Sequence, residues 1–129
     1  MKNLELLKKG YQAFGEGNIA AVLETWHDDI VWEECSGMPM VEGDGKYVGA
    51  NNVVGKVLAR LLEYIDNFSL EISHFIDGGD QIAMVGYYKG TLKSTGNTFR
   101  AQATHAWKFK DGKASHFFQA VDTATILKP

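Results

Sequence analysis

The sequence predicts an α+β domain in which three N-terminal helices pack on one face of a curved antiparallel sheet. Two observations predict it. Apolar residues recur at helical spacing through the first half of the chain and at strand spacing through the second. The second half is also punctuated by short glycine-bearing turns, Asp77-Gly78-Gly79-Asp80, Thr95-Gly96-Asn97 and Asp111-Gly112. Such turns join consecutive strands into hairpins. Helices first and an antiparallel meander afterwards is an α+β pattern. At 129 residues the chain is read as one domain, 1–129, large enough for a real core.

The elements follow in order. Leu4, Leu7, Tyr11 and Phe14 share one face of a helix over 3–16, which Gly15-Glu16-Gly17 ends. Asn18 is a natural N-cap for a second helix carrying Ile19, Val22, Leu23 and Trp26. His27-Asp28-Asp29 is expected to end it. Residues 30–34 alternate like a short strand. Residues 35–49 hold four glycines and Pro39, and read as a loop or flap over the fold. Asn51 or Asn52 can cap a third helix with Val54, Val57, Leu58, Leu61, Leu62 and Ile65 as its apolar set. Strands are expected over 68–76, 81–93, 98–110 and 113–123.

The strand over 98–110 carries the clearest signal. Phe99, Ala101, Ala103, His105, Trp107 and Phe109 occupy one side against Arg100, Gln102, Thr104, Lys108 and Lys110 on the other. A strict period of two means one buried face and one wet face. Ala106 is the small apolar break on the wet side. His105 is therefore a titratable ring within an apolar row. It is either a core histidine held by a neighbouring polar group or part of a site.

Composition excludes several functions. The net charge of −3 and the lack of a basic run leave nucleic-acid binding without electrostatic support. No stretch resembles a signal peptide or a membrane span, so a cytoplasmic location with no membrane partner is expected. A single cysteine cannot form an internal disulfide. His27, His74, His105 and His116 lack metal-ligand spacing, and no glycine loop suits a phosphate. No metal and no cofactor are expected.

The order of elements, with YQAFGEGNIAAVLETWHDDIVWEE near the start and HAWKFKDGK and QAVDT near the end, resembles the nuclear transport factor 2-like superfamily. Within it the chain is most similar to the SnoaL-like group, with ketosteroid isomerase and limonene-epoxide hydrolase as cousins. The resemblance implies a cone-shaped fold, a deep pocket between the helices and the concave sheet face, and a homodimer through the sheet. It also implies site residues. The isomerase's aspartate base falls on Glu34, and its acidic oxyanion donor on His105. Its helical tyrosine falls on Gly10, with Tyr11 one residue on, about 100° around the helix. The hydrolase's arginine–aspartate pair falls on Tyr87 and Lys89, which makes these two inward-facing. The last-strand aspartate of hydrolases and polyketide cyclases falls on Asp122.

Each candidate has a plainer alternative. Glu34 is a general base desolvated beside Trp32 and methionines, or a solvated carboxylate at a strand end. Asp122 is an acid/base partner of His105, or a charge capping a C-terminal turn. The last strand alternates irregularly, so a bulge there leaves the direction of Asp122 open. On the strand over 81–93 the opposite parity, Ile82, Met84, Gly86 and Tyr88, is as apolar as that of Tyr87 and Lys89. Trp26, Trp32 and Trp107 are core or pocket wall, suited to a flat ligand. Met38, Met40 and Tyr47 belong to the loop that would close over the pocket.

The function expected is cofactor-independent proton transfer, of isomerase or cyclase type, on a small hydrophobic or aromatic carbonyl compound. Glu34 or Asp122 would be the base, and His105, with Tyr87, would stabilise an enolate oxygen. Trp32, Lys89, Trp107, Tyr11, Met38 and Tyr47 would contact the ligand. The alternative is a non-catalytic ligand-binding or dimerisation module of the same fold.

Overall fold

The computed structural model describes residues 1–129. Helix α1 spans Asn3–Gly15 and turns Leu7 and Ala13 inward. Asn18 caps α2, Ile19–Leu23, by accepting the Ala21 N–H at 3.1 Å. Here the helix is shorter than its apolar spacing predicts. Thr25 closes it by donating its hydroxyl to the Val22 carbonyl at 2.7 Å. Trp26 then opens strand β1, Trp26–Glu33, instead of completing a helical face. Sheet pairing overrides the helical spacing, because Trp26 pairs with Ala114 and buries its ring in the core.

The 35–49 segment holds a short strand β2, Lys46–Val48. The third helix is continuous but not uniform: α3 (Ala50–Val53), a π-helical turn (Val54–Leu58) and α4 (Ala59–Tyr64). Val53, Val57 and Leu61 are its buried stripe, while Leu62 is exposed and Ile65 already belongs to the next strand.

The four-strand meander is β3 (Ile65–Asp77), β4 (Gln81–Leu92), β5 (Thr98–Lys110) and β6 (Lys113–Val121). The six-stranded sheet has the order β2-β1-β6-β5-β4-β3. Every neighbouring pair is antiparallel except β1 and β6, which run parallel. The meander alone was legible as hairpins; the parallel pair joins segments far apart in sequence. Two bulges in β3 bend the sheet edge. Gly86 lets β3 approach there, since a Cβ on it would lie 2.2 Å from the Glu71 carbonyl oxygen.

The concave face carries the core. Phe99, Ala101, Ala103, His105, Trp107 and Phe109 are all buried, and the alternate residues of β5 are all exposed. Trp32 stacks on Phe117 with ring centres 3.7 Å apart, and Trp107 packs edge-on against both. The convex face has an apolar row running across four strands: Ile76 pairs with Ala83, Ala83 with Ala106, and Ala106 with Phe118. Ile76 and Phe118, at its two ends, are more than half exposed.

A short helix α5, Thr123–Ile126, follows β6 and buries Ile126 completely. Asn97 holds it by donating to the Thr125 and Ile126 carbonyls. No helix is long and apolar enough to cross a membrane, and no cluster of three His, Cys, Asp or Glu is placed to hold a metal ion.

Candidate functional site

A cavity of about 80 Å³ lies between α1, the third helix and the concave sheet face. Its walls are mostly apolar, and its polar atoms come from Tyr11, Thr25, Glu34, Tyr88, His105 and Gln119 together with the indoles. An apolar cavity of ~150 Å³ takes up one benzene ring. This one, about half that size, therefore fits a molecule smaller than benzene and not a polycyclic one, unless its walls part. A wider groove of about 440 Å³ adjoins it across Tyr11, Phe14, Leu58, Leu61, Phe68 and Leu70. The π-helical turn contributes to both, through Val57 and Leu58 to the cavity and through Val54 and Leu58 to the groove.

Glu34 reaches the cavity because Ile30, Trp32 and Glu34 share the concave parity of β1 and its extension. Its backbone N–H donates to the Gly45 carbonyl at 2.8 Å, which continues the pairing beyond the strand end. Gly45 has φ +79°, and a Cβ there would stand 2.7 Å from the Glu34 carbonyl oxygen. Only glycine fits that position without strain. The Trp32 indole N–H donates to Glu34 Oε2 at 2.8 Å. Glu34 is 7% exposed. Burial pushes its carboxyl up to about 7, with the Trp32 indole and the Cys35 backbone N–H pulling partway back.

A chain of hydrogen bonds crosses the other side of the cavity. The Trp107 indole N–H donates to the Tyr11 hydroxyl at 2.8 Å. Tyr11 meets His105 Nδ1 at 2.7 Å, and Tyr88 meets His105 Nε2 at 2.5 Å. The Tyr88 hydroxyl donates to Gln119 Oε1 at 2.5 Å. Its proton being spent there, Tyr88 accepts from His105 Nε2–H. Nδ1 is then bare and accepts the Tyr11 proton. Burial holds the His105 ring down at about 3, against a partial rise from Gln119, so the ring is neutral. Burial also lifts the Tyr11 phenol, against a partial lowering by the Trp107 N–H. Tyr88 is raised by burial first, and the nearby Glu34, Tyr11 and Cys35 push it the same way. Both tyrosines stay protonated.

The cavity brings together six of the ten residues expected to be catalytic or to contact the ligand, Glu34, His105, Trp32, Trp107, Tyr11 and Met38, and Trp26 and Met40 line it too. Tyr11 points in although it is one position off the expected one. Four others lie elsewhere. Asp122 is exposed and caps α5, accepting from the Thr125 N–H at 3.2 Å and the Thr125 hydroxyl at 2.5 Å. Those two donors hold its carboxyl below the usual range. Tyr87 faces outward beneath the Arg100 guanidinium, 3.5 Å above its ring. Lys89 is exposed and pairs with Glu71 at 3.7 Å. The parity of β4 is thus the reverse of the expected one, and it is Tyr88 that points inward. Tyr47 packs beside the core from β2, its hydroxyl accepting from the Glu42 N–H at 3.4 Å, and does not line the cavity.

Tyr88 and Gln119 were missed. Tyr88 belonged to the equally apolar parity of β4. Gln119 had no readable signal, because a bulge sets its direction. At the β5–β6 turn Lys110 pairs with Lys113 and Phe109 with Ala114. An unbroken register would set Phe118 opposite His105. The shift between Lys108 and Phe109 sets Gln119 there instead, and turns Phe118 outward.

Residues 7–117 match the family model of the SnoaL-like domain. No curated protein matches the sequence. Among solved structures, an NTF2-like protein of Burkholderia thailandensis E264 is 30% identical, with a TM-score of 0.91 over 100% of this chain and 99% of its own. TerC, crystallised with polyporic acid, is 25% identical, with a TM-score of 0.82 over 95% of this chain and 92% of its own. A putative SnoaL-like polyketide cyclase of Shewanella denitrificans OS-217 is 19% identical, with a TM-score of 0.76 over 95% and 92%. This last likeness concerns the fold.

Proposed function

The chain belongs to the SnoaL-like domain family, and on that premise we propose a cofactor-independent proton-transfer enzyme acting on a compact carbonyl compound, of isomerase or cyclase type. One observation carries this reading. Glu34 is a buried carboxyl, held at one oxygen by the Trp32 indole, whose proton affinity is set near neutrality. A base with that affinity is suited to take a proton at neutral pH and return it. The Glu34 anion removes a proton from the carbon next to the carbonyl. The C–H electron pair moves into an enolate, and the Glu34 acid gives the proton back at the same or a conjugated carbon.

His105 is a positioning residue here. Neutral, with both nitrogens engaged, it neither takes the substrate proton nor donates to the enolate. Trp32, Trp107 and Phe117 supply the wall against which the ligand lies. TerC's complex with polyporic acid supports ligand binding in a relative of this fold.

The test is exchange of the α-protons of acetone, a ketone small enough for the cavity, with deuterated water, followed by proton NMR. The catalysed rate is expected to rise with pH and level off above about 7, following Glu34. Glu34→Gln is expected to lower it by about 10²-fold or more. An unaltered rate in the variant ends the proposal. Ketone that binds without exchange assigns the chain to the binding-module alternative.

The convex row from Ile76 to Phe118 supports a homodimer through the sheet, since exposed apolar rows of this kind mark association surfaces. Phe118→Lys is expected to convert a dimer into a monomer in sedimentation. A wild type that is monomeric at all concentrations refutes this.

A further inference from the structure

We propose that the Gln119 side-chain amide is the donor that seats the carbonyl oxygen of the ligand, beside Glu34. The proposal rests on reading the cavity as a carbonyl site and names the group that recognises the oxygen. Gln119 Nε2 is the one buried side-chain nitrogen or oxygen without a hydrogen-bond partner. Gln119 is 3% exposed and lines the cavity. Native folds rarely leave a buried donor unpaired, and one found in a cavity wall points to a ligand acceptor.

The amide's orientation follows from the chain that ends on it. The Trp107 indole can only donate, so that end of the chain has a fixed direction. With Trp107 donating to Tyr11, Tyr11 to His105, His105 to Tyr88 and Tyr88 to Gln119 Oε1, every proton in the chain has an acceptor. The one group left over is the Gln119 NH₂. Reversing the chain leaves both the Tyr11 proton and Gln119 Oε1 unpaired. The forward direction therefore turns the NH₂ toward the cavity and uses up the protons of both tyrosines. Neither tyrosine has a proton left for a ligand oxygen.

The sheet register sets this donor next to the base. Glu33 pairs with Phe118 on the parallel β1–β6 pair, so the next residue on each strand, Glu34 and Gln119, are lateral neighbours. Neighbouring strands lie about 4.8 Å apart. In a ketone the oxygen and the α-hydrogen sit on adjacent carbons, so one small molecule spans both groups. An enolate formed by Glu34 places its negative oxygen on the Gln119 N–H, where a charge-assisted hydrogen bond forms. The ligand class selected is a compact ketone or aldehyde with an unhindered oxygen.

The probes are acetone and isobutene, which differ in carrying C=O or C=CH₂ and are both small enough for the cavity. Binding is measured by NMR titration of wild type, Gln119→Met and Glu34→Gln. Wild type is expected to prefer the ketone by about tenfold or more, the usual scale for one hydrogen bond to an otherwise unpaired donor. Gln119→Met is expected to bind the two equally, and Glu34→Gln to keep the preference. In wild type the Gln119 side-chain N–H proton is expected to move downfield with the ketone and not with the alkene. That signal needs no variant to fold. A ketone preference retained in Gln119→Met, an unmoved Gln119 signal at saturation, or wild type that binds neither probe overturns the proposal. Because these are binding readouts, absent α-proton exchange defeats the reaction assigned to Glu34 without touching them.

Discussion

Replacing Glu34 with glutamine should make the protein more stable, by an amount that depends on pH. The folded carboxyl titrates at about 7 against an ordinary 4.5, because burial disfavours its charge. A tenfold change in proton affinity is worth about 1.36 kcal/mol, so ionising Glu34 costs the folded state about 3 kcal/mol. In sign, a raised carboxyl supports the fold fully below about pH 4.5 and loses that support as pH rises through about 7. His105 acts in the opposite sense. It falls from an ordinary 6.5 to about 3, so its support is complete above 6.5 and is lost as pH falls towards 3. Between pH 4.5 and 6.5 the folded state holds one extra proton on Glu34 and lacks one on His105. The two slopes cancel, and the wild type is flat there. Glu34→Gln uncovers the His105 slope, a rise of about 3 kcal/mol from pH 4.5 to 6.5. From pH 4.5 to 8 the variant should gain about 3 kcal/mol on the wild type, or about 10 °C in Tm for a chain of this size. Urea and thermal melts at closely spaced pH values, followed by tryptophan fluorescence, measure this. Parallel profiles for the two proteins from pH 4.5 to 8 would refute the buried, ionisable Glu34.

Three further outcomes are expected. Tyr88→Phe strips His105 Nε2–H of its acceptor and Gln119 Oε1 of its donor, and should cost about 1–3 kcal/mol in urea unfolding. Gly45→Ala forces a left-handed φ and a 2.7 Å approach to the Glu34 carbonyl. It should cost about 2 kcal/mol and, by moving Glu34, slow α-proton exchange. Asp122→Ala removes only the α5 cap, so a slightly lower melting point with an unchanged exchange rate is expected. A large loss of exchange in that variant would return Asp122 to the chemistry.

Much of the fold was legible because β5 alternates without a fault and the three turns of the meander carry their glycines. The pairing of β1 with β6 was not, since no local pattern announces which distant strand closes a sheet. Trp26 misled for the same reason: helical spacing over 19–26 fits the sequence, but the strand pairing that decides its place is not local. The site divides along the same line. Glu34 and His105 sit on strands whose parity is readable, and both line the cavity. Tyr87 and Lys89 sit on a strand whose two faces are equally apolar, so their parity rested on the family alignment, and it is reversed. Gln119 depends on one bulge, which exchanges it with Phe118. Ala106, the small break on the wet side of β5, has its place in the convex apolar row.

The parallel β1–β6 pair also governs when the site comes into being. The meander can grow hairpin by hairpin from local contacts, but β1 must find β6 across most of the chain. Such long-range pairing carries the larger loop-closure cost and forms slowly. Glu34 and Gln119 are therefore expected to become neighbours late in folding, and tryptophan fluorescence, through the stacking of Trp32 on Phe117, is the measurement that checks it. A molecule held between the two strands staples the latest-formed contact. It should slow unfolding while leaving the rate of folding nearly unchanged.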